Sequence, residues 1–389
     1  MRTPDYALFA KGFRPFFLLA GLFALAIVPS WLLFFFGVLS VDGYLDPLSW
    51  HAHEMIFGFV VAVIAGFLLT AVGNWTQRET LTGMPLLALT ALWVLGRISM
   101  LCAQQLPFSL AAVLDLAFLP LLIMALARPL IASRNFRNYP LLIVLAVLFA
   151  CNAVMHAQAL GLLPMGSARK ASLVAVDVVL LVVLIIIGRV LPTFTRNATK
   201  VADIRSHTAL DTACLVSMVA LGVSDAVLPH STLAIGAAAL TAILAIARAW
   251  HWGAMHTLKH PLLWVLHLGY GWLVLGLGLR AVAGLGYISA SLATHALTVG
   301  VIGTLTLGMM ARVALGHTGR MLSASRTMVC AFVALNFAAA ARALAPWLHP
   351  SWHLASLWIA AALWSVAFLL FVACYAPVLW SRRVDGKPG

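Results

Sequence analysis

Apolar residues run along this chain in long unbroken stretches, separated by short polar connections, with no period-2 alternation. A stretch of about 20 residues crosses about 30 Å of hydrocarbon as a helix. The missing alternation excludes a membrane β-barrel. The pattern predicts twelve spans, at roughly 16–39, 50–73, 84–102, 107–131, 139–160, 170–191, 208–228, 231–250, 261–283, 288–315, 327–346 and 353–380. Trp, Tyr and Pro gather at span ends, as interfacial anchors and helix breakers do. The longest polar stretch, Pro192–His207, is too short to fold into a soluble domain. The expected class is all-α: a polytopic membrane helix bundle of about 12 transmembrane helices, forming one transmembrane domain over 1–389.

Composition agrees, with 63% hydrophobic and 9% charged residues and a mean hydropathy of +1.03. The net charge of +13 changes the picture only once it is sorted by connection. With the N-terminus placed inside, the outer side holds Arg97, Arg169, Lys170, Arg280 and Arg342, and the other 19 of the 24 Lys and Arg, Arg2 among them, fall inside. That asymmetry is the positive-inside signal and predicts both termini to be cytoplasmic. The basic balance then reads as topogenic and lipid-contacting, not as a nucleic-acid surface. The five cysteines are scattered, with no CxxC and no CxxCH, so neither a zinc ribbon nor covalent haem attachment is supported. The first apolar run is too long for a cleavable signal peptide and reads as the first transmembrane helix.

The candidate chemistry begins at Trp50-His51-Ala52-His53-Glu54, where two imidazoles and a carboxylate enter the second span. Polar groups of this kind are costly in lipid and point to function. His51 and His53 are two residues apart and point about 200° from one another on a helix. Glu54 could ligate a metal, relay protons or orient an imidazole, or it could simply favour the positive end of a helix. Thirteen histidines against eleven carboxylates is a high ratio. The outer half holds His51, His53, His156, His230, His295, His349 and His353. His53-x4-Gly58-x7-Gly66 recurs as His295-x4-Gly300-x7-Gly308 in the tenth span. The glycines fit close helix packing or room for a flat macrocycle. His267 lies deep in the ninth span among aromatic neighbours, a candidate ligand. Arg189 and Arg312 could clamp carboxylates such as propionates, or serve as inner-face topogenic charges. Asp115, Asp177 and Arg280 lie in or near spans. Asp177 is either part of an outer proton route with Glu54 and Asp115 or the structural partner of Arg280.

Several stretches together resemble the NnrS family: Lys-Gly-Phe-Arg-Pro-Phe-Phe at 11–17, Trp-His-Ala-His-Glu-Met-Ile-Phe-Gly-Phe at 50–59, Gly-Arg-Val-Leu-Pro-Thr-Phe-Thr-Arg-Asn at 188–197 and Gly-Met-Met-Ala-Arg-Val-Ala-Leu-Gly-His-Thr-Gly-Arg at 308–320. The resemblance implies a bacterial inner-membrane protein containing haem and copper, linked to nitric oxide metabolism and protection from nitrosative stress. A weaker architectural likeness, to the haem–copper oxidase and nitric oxide reductase superfamily, departs at helix 6, which has no histidine. On this footing the expected cofactors are a non-covalent b-type haem and copper. The expected partners are nitric oxide, an electron donor of unidentified kind and the lipid bilayer. His53 and His295 are expected as haem ligands, His51 and Glu54 as the copper or proton-relay side, and His267 as a ligand of either. Glu54 and Asp177 are the expected catalytic carboxylates, and Arg189 and Arg312 the expected cofactor contacts. The expected activity is reduction of nitric oxide to nitrous oxide. Its rivals are a non-catalytic nitric oxide sensor or shield and a secondary transporter.

Overall fold

The computed structural model of the chain describes residues 7–39, 44–229 and 231–387, so Arg2 and His230 lie outside it. Twelve helices are long and apolar enough to cross a membrane: α1 (Phe13–Phe35), α2 (Pro47–Thr76), α3 (Gly83–Leu101), α4 (Phe108–Ala132), α5 (Phe136–Ala159), α6 (Ser167–Thr199), α7 (Thr208–Val227), α8 (Thr232–Ala249), α9 (Pro261–Gly284), α10 (Ala290–His317), α11 (Arg326–Leu348) and α12 (Pro350–Trp380). No strand occurs among the described residues. The all-helical, multi-pass expectation therefore holds.

Two boundaries differ from the apolar pattern. Helix α2 begins at Pro47, three residues before the apolar run, because Asp46 caps it. The Asp46 carboxylate accepts from the backbone amides of Leu48 (3.1 Å) and Ser49 (3.0 Å), and Pro47 supplies the fixed φ that suits a first helical position. His53 and Glu54 consequently sit in the second turn rather than at the helix mouth. Helix α6 runs on through Pro192 to Thr199, across a stretch whose polarity reads as a connection. Thr195 and Thr199 in this stretch turn their hydroxyls inward along the helix, donating to the carbonyls of Leu191 (2.9 Å) and Thr195 (2.8 Å), one turn back.

The chain divides into two compact units. Unit 1 takes Met1–Ala175, Val313–Met321 and Phe371–Gly389; unit 2 takes Val176–Arg312 and Leu322–Leu370. In unit 1, α2 packs against α1 and α4, with α3 on α4 and α4 on α5. Helix α2 is the core of this unit: 83% of its most apolar window is buried, a greater share than in any other span. Unit 1 is also closed by its ends. Arg14 on α1 is fully buried and donates through Nη1 to the backbone carbonyls of Leu379 (3.0 Å) and Ser381 (2.6 Å). In unit 2, α7, α8, α9 and α10 pack in chain order, and α11 lies on α10.

Helices α2 and α10 share a departure from α-helical winding. Glu54–Val60 and Ala296–Gly303 are π-helical, each beginning directly after the histidine of the recurring pattern. Such turns are rare and occur mostly at functional sites. The glycines of the pattern serve close packing. A methyl at Gly58 would come within 2.5 Å of the Phe23 ring, and one at Gly300 within 2.6 Å of the Trp272 ring. Neighbouring side chains thus fill the space that glycine leaves on both helices.

Candidate metal centre

The second turn of α2 places Trp50, His51, His53 and Glu54 on different faces. Trp50 is buried edge-on to Phe34, with ring centroids 4.8 Å apart. His51 faces α1, its ring tilted over Trp31 at 4.3 Å. His53 turns the other way, into the core of unit 1, with no solvent exposure. Glu54, its sequence neighbour and the first residue of the π-helical turn, reaches the same ring. The Glu54 carboxylate oxygen Oε1 accepts from His53 Nδ1 (2.8 Å) and from Arg97 Nη1 of α3 (2.6 Å).

Helices α4 and α5 complete the cluster. Asp115 of α4 pairs through Oδ1 with Arg97 Nη2. Its Oδ2 accepts from Asn152 Nδ2 (2.7 Å) and His156 Nε2 (2.9 Å), both on α5. Asn152 Oδ1 faces His53 Nε2 at 2.9 Å, and Asp115 Oδ2 lies 3.3 Å from that nitrogen. Tyr44, just before α2, is buried and donates its hydroxyl to His156 Nδ1 at 2.5 Å. Burial pushes the Tyr44 phenol above its ordinary pKa, so it stays a protonated donor. His156 is thereby held with Nε2 aimed at Asp115.

Charge counting sharpens the picture. Glu54 and Asp115 bring two negative charges and Arg97 one positive charge, all buried within a membrane-spanning bundle. An unbalanced charge there is costly. Both nitrogens of His53 face acceptors, and an imidazole with hydrogen on both nitrogens is a cation. That proton would bring the cluster to zero, and a bound metal ion could take its place.

Among the described residues, one group has metal-binding geometry: His53, Asp115 and His156, each buried, offer ligand atoms that lie within 4.8 Å of one another. Two imidazoles and a carboxylate form a donor set that suits copper, iron or zinc. The same neighbourhood does not suit a macrocycle. Both His53 nitrogens already have protein partners, and the adjoining cavity measures only about 10 Å3. This cavity is lined by Arg97, Asp115 and Asn152 together with Phe57, Trp93 and Leu119. That is room for about one water-sized molecule.

The family model described as NnrS protein matches residues 7–383. The chain belongs to the NnrS family. NnrS proteins are associated with nitric oxide metabolism and with haem and metal, which gives the buried donor set its chemical context. Comparison with individually curated proteins gave no match.

The other expected residues are distributed as follows. His51 lies on the α1 side of α2, against Trp31, and is not part of the three-ligand group. In unit 2, His295 Nδ1 bonds the carbonyl of Ser291 one turn earlier (2.7 Å), and His267 Nε2 meets the Thr195 hydroxyl (2.9 Å). Arg312 lies over the Phe194 ring at 4.1 Å, a cation–π contact, and Arg189 sits part-exposed on α6. Asp177 pairs with Arg280, which also pairs with Asp225, forming an ionic triad. Sequence reasoning did not connect Arg97, Asn152, His156 and Tyr44 with His53. Arg97 reads only as one of five outer-side charges, and His156 as one outer histidine among several. The available signal was their residue type at helical depth in apolar spans.

Proposed function

We propose that the protein binds nitric oxide at a copper ion held by His53, Asp115 and His156, and reduces it to nitrous oxide in the bacterial inner membrane, thereby protecting against nitrosative stress. The observation that carries this reading is the buried two-histidine, one-carboxylate group in a family associated with nitric oxide. Two nitric oxide molecules, two electrons and two protons give one nitrous oxide and one water. When bound, the ion supplies an electron and a coordination position for nitric oxide. The chain's own residues supply the rest. Glu54 accepts from His53 Nδ1, which orients the ring and raises its basicity toward an ion at Nε2. Tyr44 orients the His156 ring through Nδ1; for His156 to offer Nε2 to an ion its hydrogen would have to lie on Nδ1, with the Tyr44 oxygen accepting it. Arg97 holds both carboxylates in place and offsets their charge. Glu54 is also the acidic group best placed to pass a proton, since it already shares one with His53.

The cavity beside His53, at about 10 Å3, is too small for a macrocycle. His295, His267, Arg189 and Arg312 of unit 2 are the residues proposed for haem on the family resemblance.

The deciding experiment is metal analysis and anaerobic nitric oxide consumption on the purified full chain supplied with an electron donor. Copper near one equivalent is expected in the wild type, with loss of both copper and consumption in Asp115→Asn and His156→Gln. Unchanged copper in both variants would defeat the ligand assignment. Copper retention without nitric oxide turnover would favour the sensor or shield reading, because the same buried group can bind the gas without reducing it.

A further inference from the structure

Four arginines are buried among the described residues: Arg14, Arg97, Arg248 and Arg342. Arg97 meets Glu54 and Asp115, Arg248 meets Asp211, and Arg14 donates to two backbone carbonyls. Arg342 differs. It lies on α11 of unit 2, is 7% exposed, and its guanidinium makes one hydrogen bond, from Nη2 to the Ser291 hydroxyl of α10 (3.1 Å). Its Nη1 is buried without a partner, and no carboxylate or carbonyl among the described residues takes up its charge. A buried charge without a counterion is costly in a membrane-spanning bundle. Its surroundings add to the cost. Ser291 is the second residue of α10, so the guanidinium approaches a helix N-terminus, which itself carries about half a positive charge. The Ser291 hydroxyl accepts from Arg342, and its own hydrogen is uncommitted. His295 Nδ1, 3.4 Å from that hydroxyl, donates to the Ser291 carbonyl (2.7 Å), so it carries a hydrogen and cannot accept another.

We propose that Arg342, Ser291 and the N-terminus of α10 form a binding site for one phosphate group at this end of unit 2. A phosphate has several acceptor oxygens, so it can take hydrogens from the guanidinium and the hydroxyl together. A helix N-terminus favours the same sign of charge. A singly charged phosphodiester would bring Arg342 to neutrality. Depth supports the assignment. Tyr287, just before α10, and Trp347 and Trp352, at the end of α11 and just after it, are all exposed, as aromatic residues at a membrane–water interface are. Lipid phosphates lie at that level. Ser291 is part-exposed and Arg342 buried, so the anion approaches from the serine side. A lipid headgroup and free phosphate offer the same chemistry here. The site draws on nothing in unit 1 and stands or falls apart from the metal cluster.

The test uses the full chain purified in a phosphorus-free detergent. Thermal unfolding is followed as phosphatidylglycerol in mixed micelles, inorganic phosphate or chloride is added, and native mass spectrometry counts bound lipid. The wild type should hold one phosphate-bearing ligand tightly and melt at a higher temperature with it. Arg342→Gln should bind that ligand about 10–100-fold more weakly. Ser291→Ala keeps the charge, should also weaken binding, and keeps the test available if Arg342→Gln fails to fold. Arg169→Gln, which removes an exposed arginine elsewhere, is the control and should bind as the wild type does. Stabilisation by phosphatidylglycerol alone would uphold the site with a lipid headgroup as its occupant. Stabilisation by inorganic phosphate as well, in competition with the lipid, would uphold it as a site for the free anion too. The proposal is overturned if neither shifts the wild-type melting temperature, if chloride matches them, or if Ser291→Ala and Arg342→Gln bind as tightly as the wild type.

Discussion

Arg97 neutralises Glu54 and Asp115, meeting one carboxylate through each of its terminal nitrogens. Removing it leaves two buried carboxylates close together without their cation. Arg97→Ala should therefore cost about 3–5 kcal/mol, to be read as a lowered melting temperature of the detergent-purified protein. Tyr44 acts one bond further out. Tyr44→Phe removes the hydroxyl that orients His156 while keeping the ring packed on Phe108, at 5.0 Å. Metal affinity should fall by about 10–100-fold with little change in melting temperature, measured by competition with a chelator. An unchanged affinity would show that His156 is held by packing alone. At this scale only part of the site was legible. His53 and Glu54 announce themselves because they are adjacent and interrupt an apolar run. Asp115, Asn152 and His156 come from α4 and α5, and nothing in a single sequence says that they face α2. Arg97 was one of five outer-side charges that the positive-inside pattern leaves unexplained, and nothing in the sequence names its partners.

At the scale of the element, the π-helical turn of α2 opens at Glu54, whose carboxylate reaches both His53 Nδ1 and Arg97. Gly58 is the tightest point of that turn, bounded by Phe23 and by Arg97 Cδ at 3.3 Å. Gly58→Ala should destabilise the protein by about 1–3 kcal/mol through overpacking and lower copper occupancy by displacing Arg97. Gly271→Ala, where a methyl meets nothing within 4 Å, is the control and should leave both unchanged. Full retention of copper in Gly58→Ala would disconnect the turn from the site. Helix positions were readable from the apolar runs, because lipid imposes length and apolarity on every span. The winding within α2 and α10 was not, since π turns have no compositional signature beyond the glycines. The recurring histidine and glycine spacing was the visible trace of a feature that both helices share.

At the scale of the molecule, the distribution of Lys and Arg gives a prediction that the helices alone do not. Both termini should face the cytoplasm, so a fluorescent protein fused after residue 389 should mature and fluoresce, and a periplasm-dependent phosphatase at the same place should stay inactive. The opposite pair of signals would reverse the orientation and place the metal cluster toward the inner side. Unit 1 also sets a schedule. Arg14 is buried against carbonyls of Leu379 and Ser381, which enter the chain 365 and 367 residues after it. At 5–20 residues per second, the ribosome supplies those carbonyls about 20–70 s after Arg14 has been made. For that interval the guanidinium must be housed elsewhere, in water, at lipid phosphates or with an insertion factor. The first helix thus remains provisional until the last one arrives, and the unit that holds the buried His53, Asp115 and His156 closes only when synthesis is nearly over.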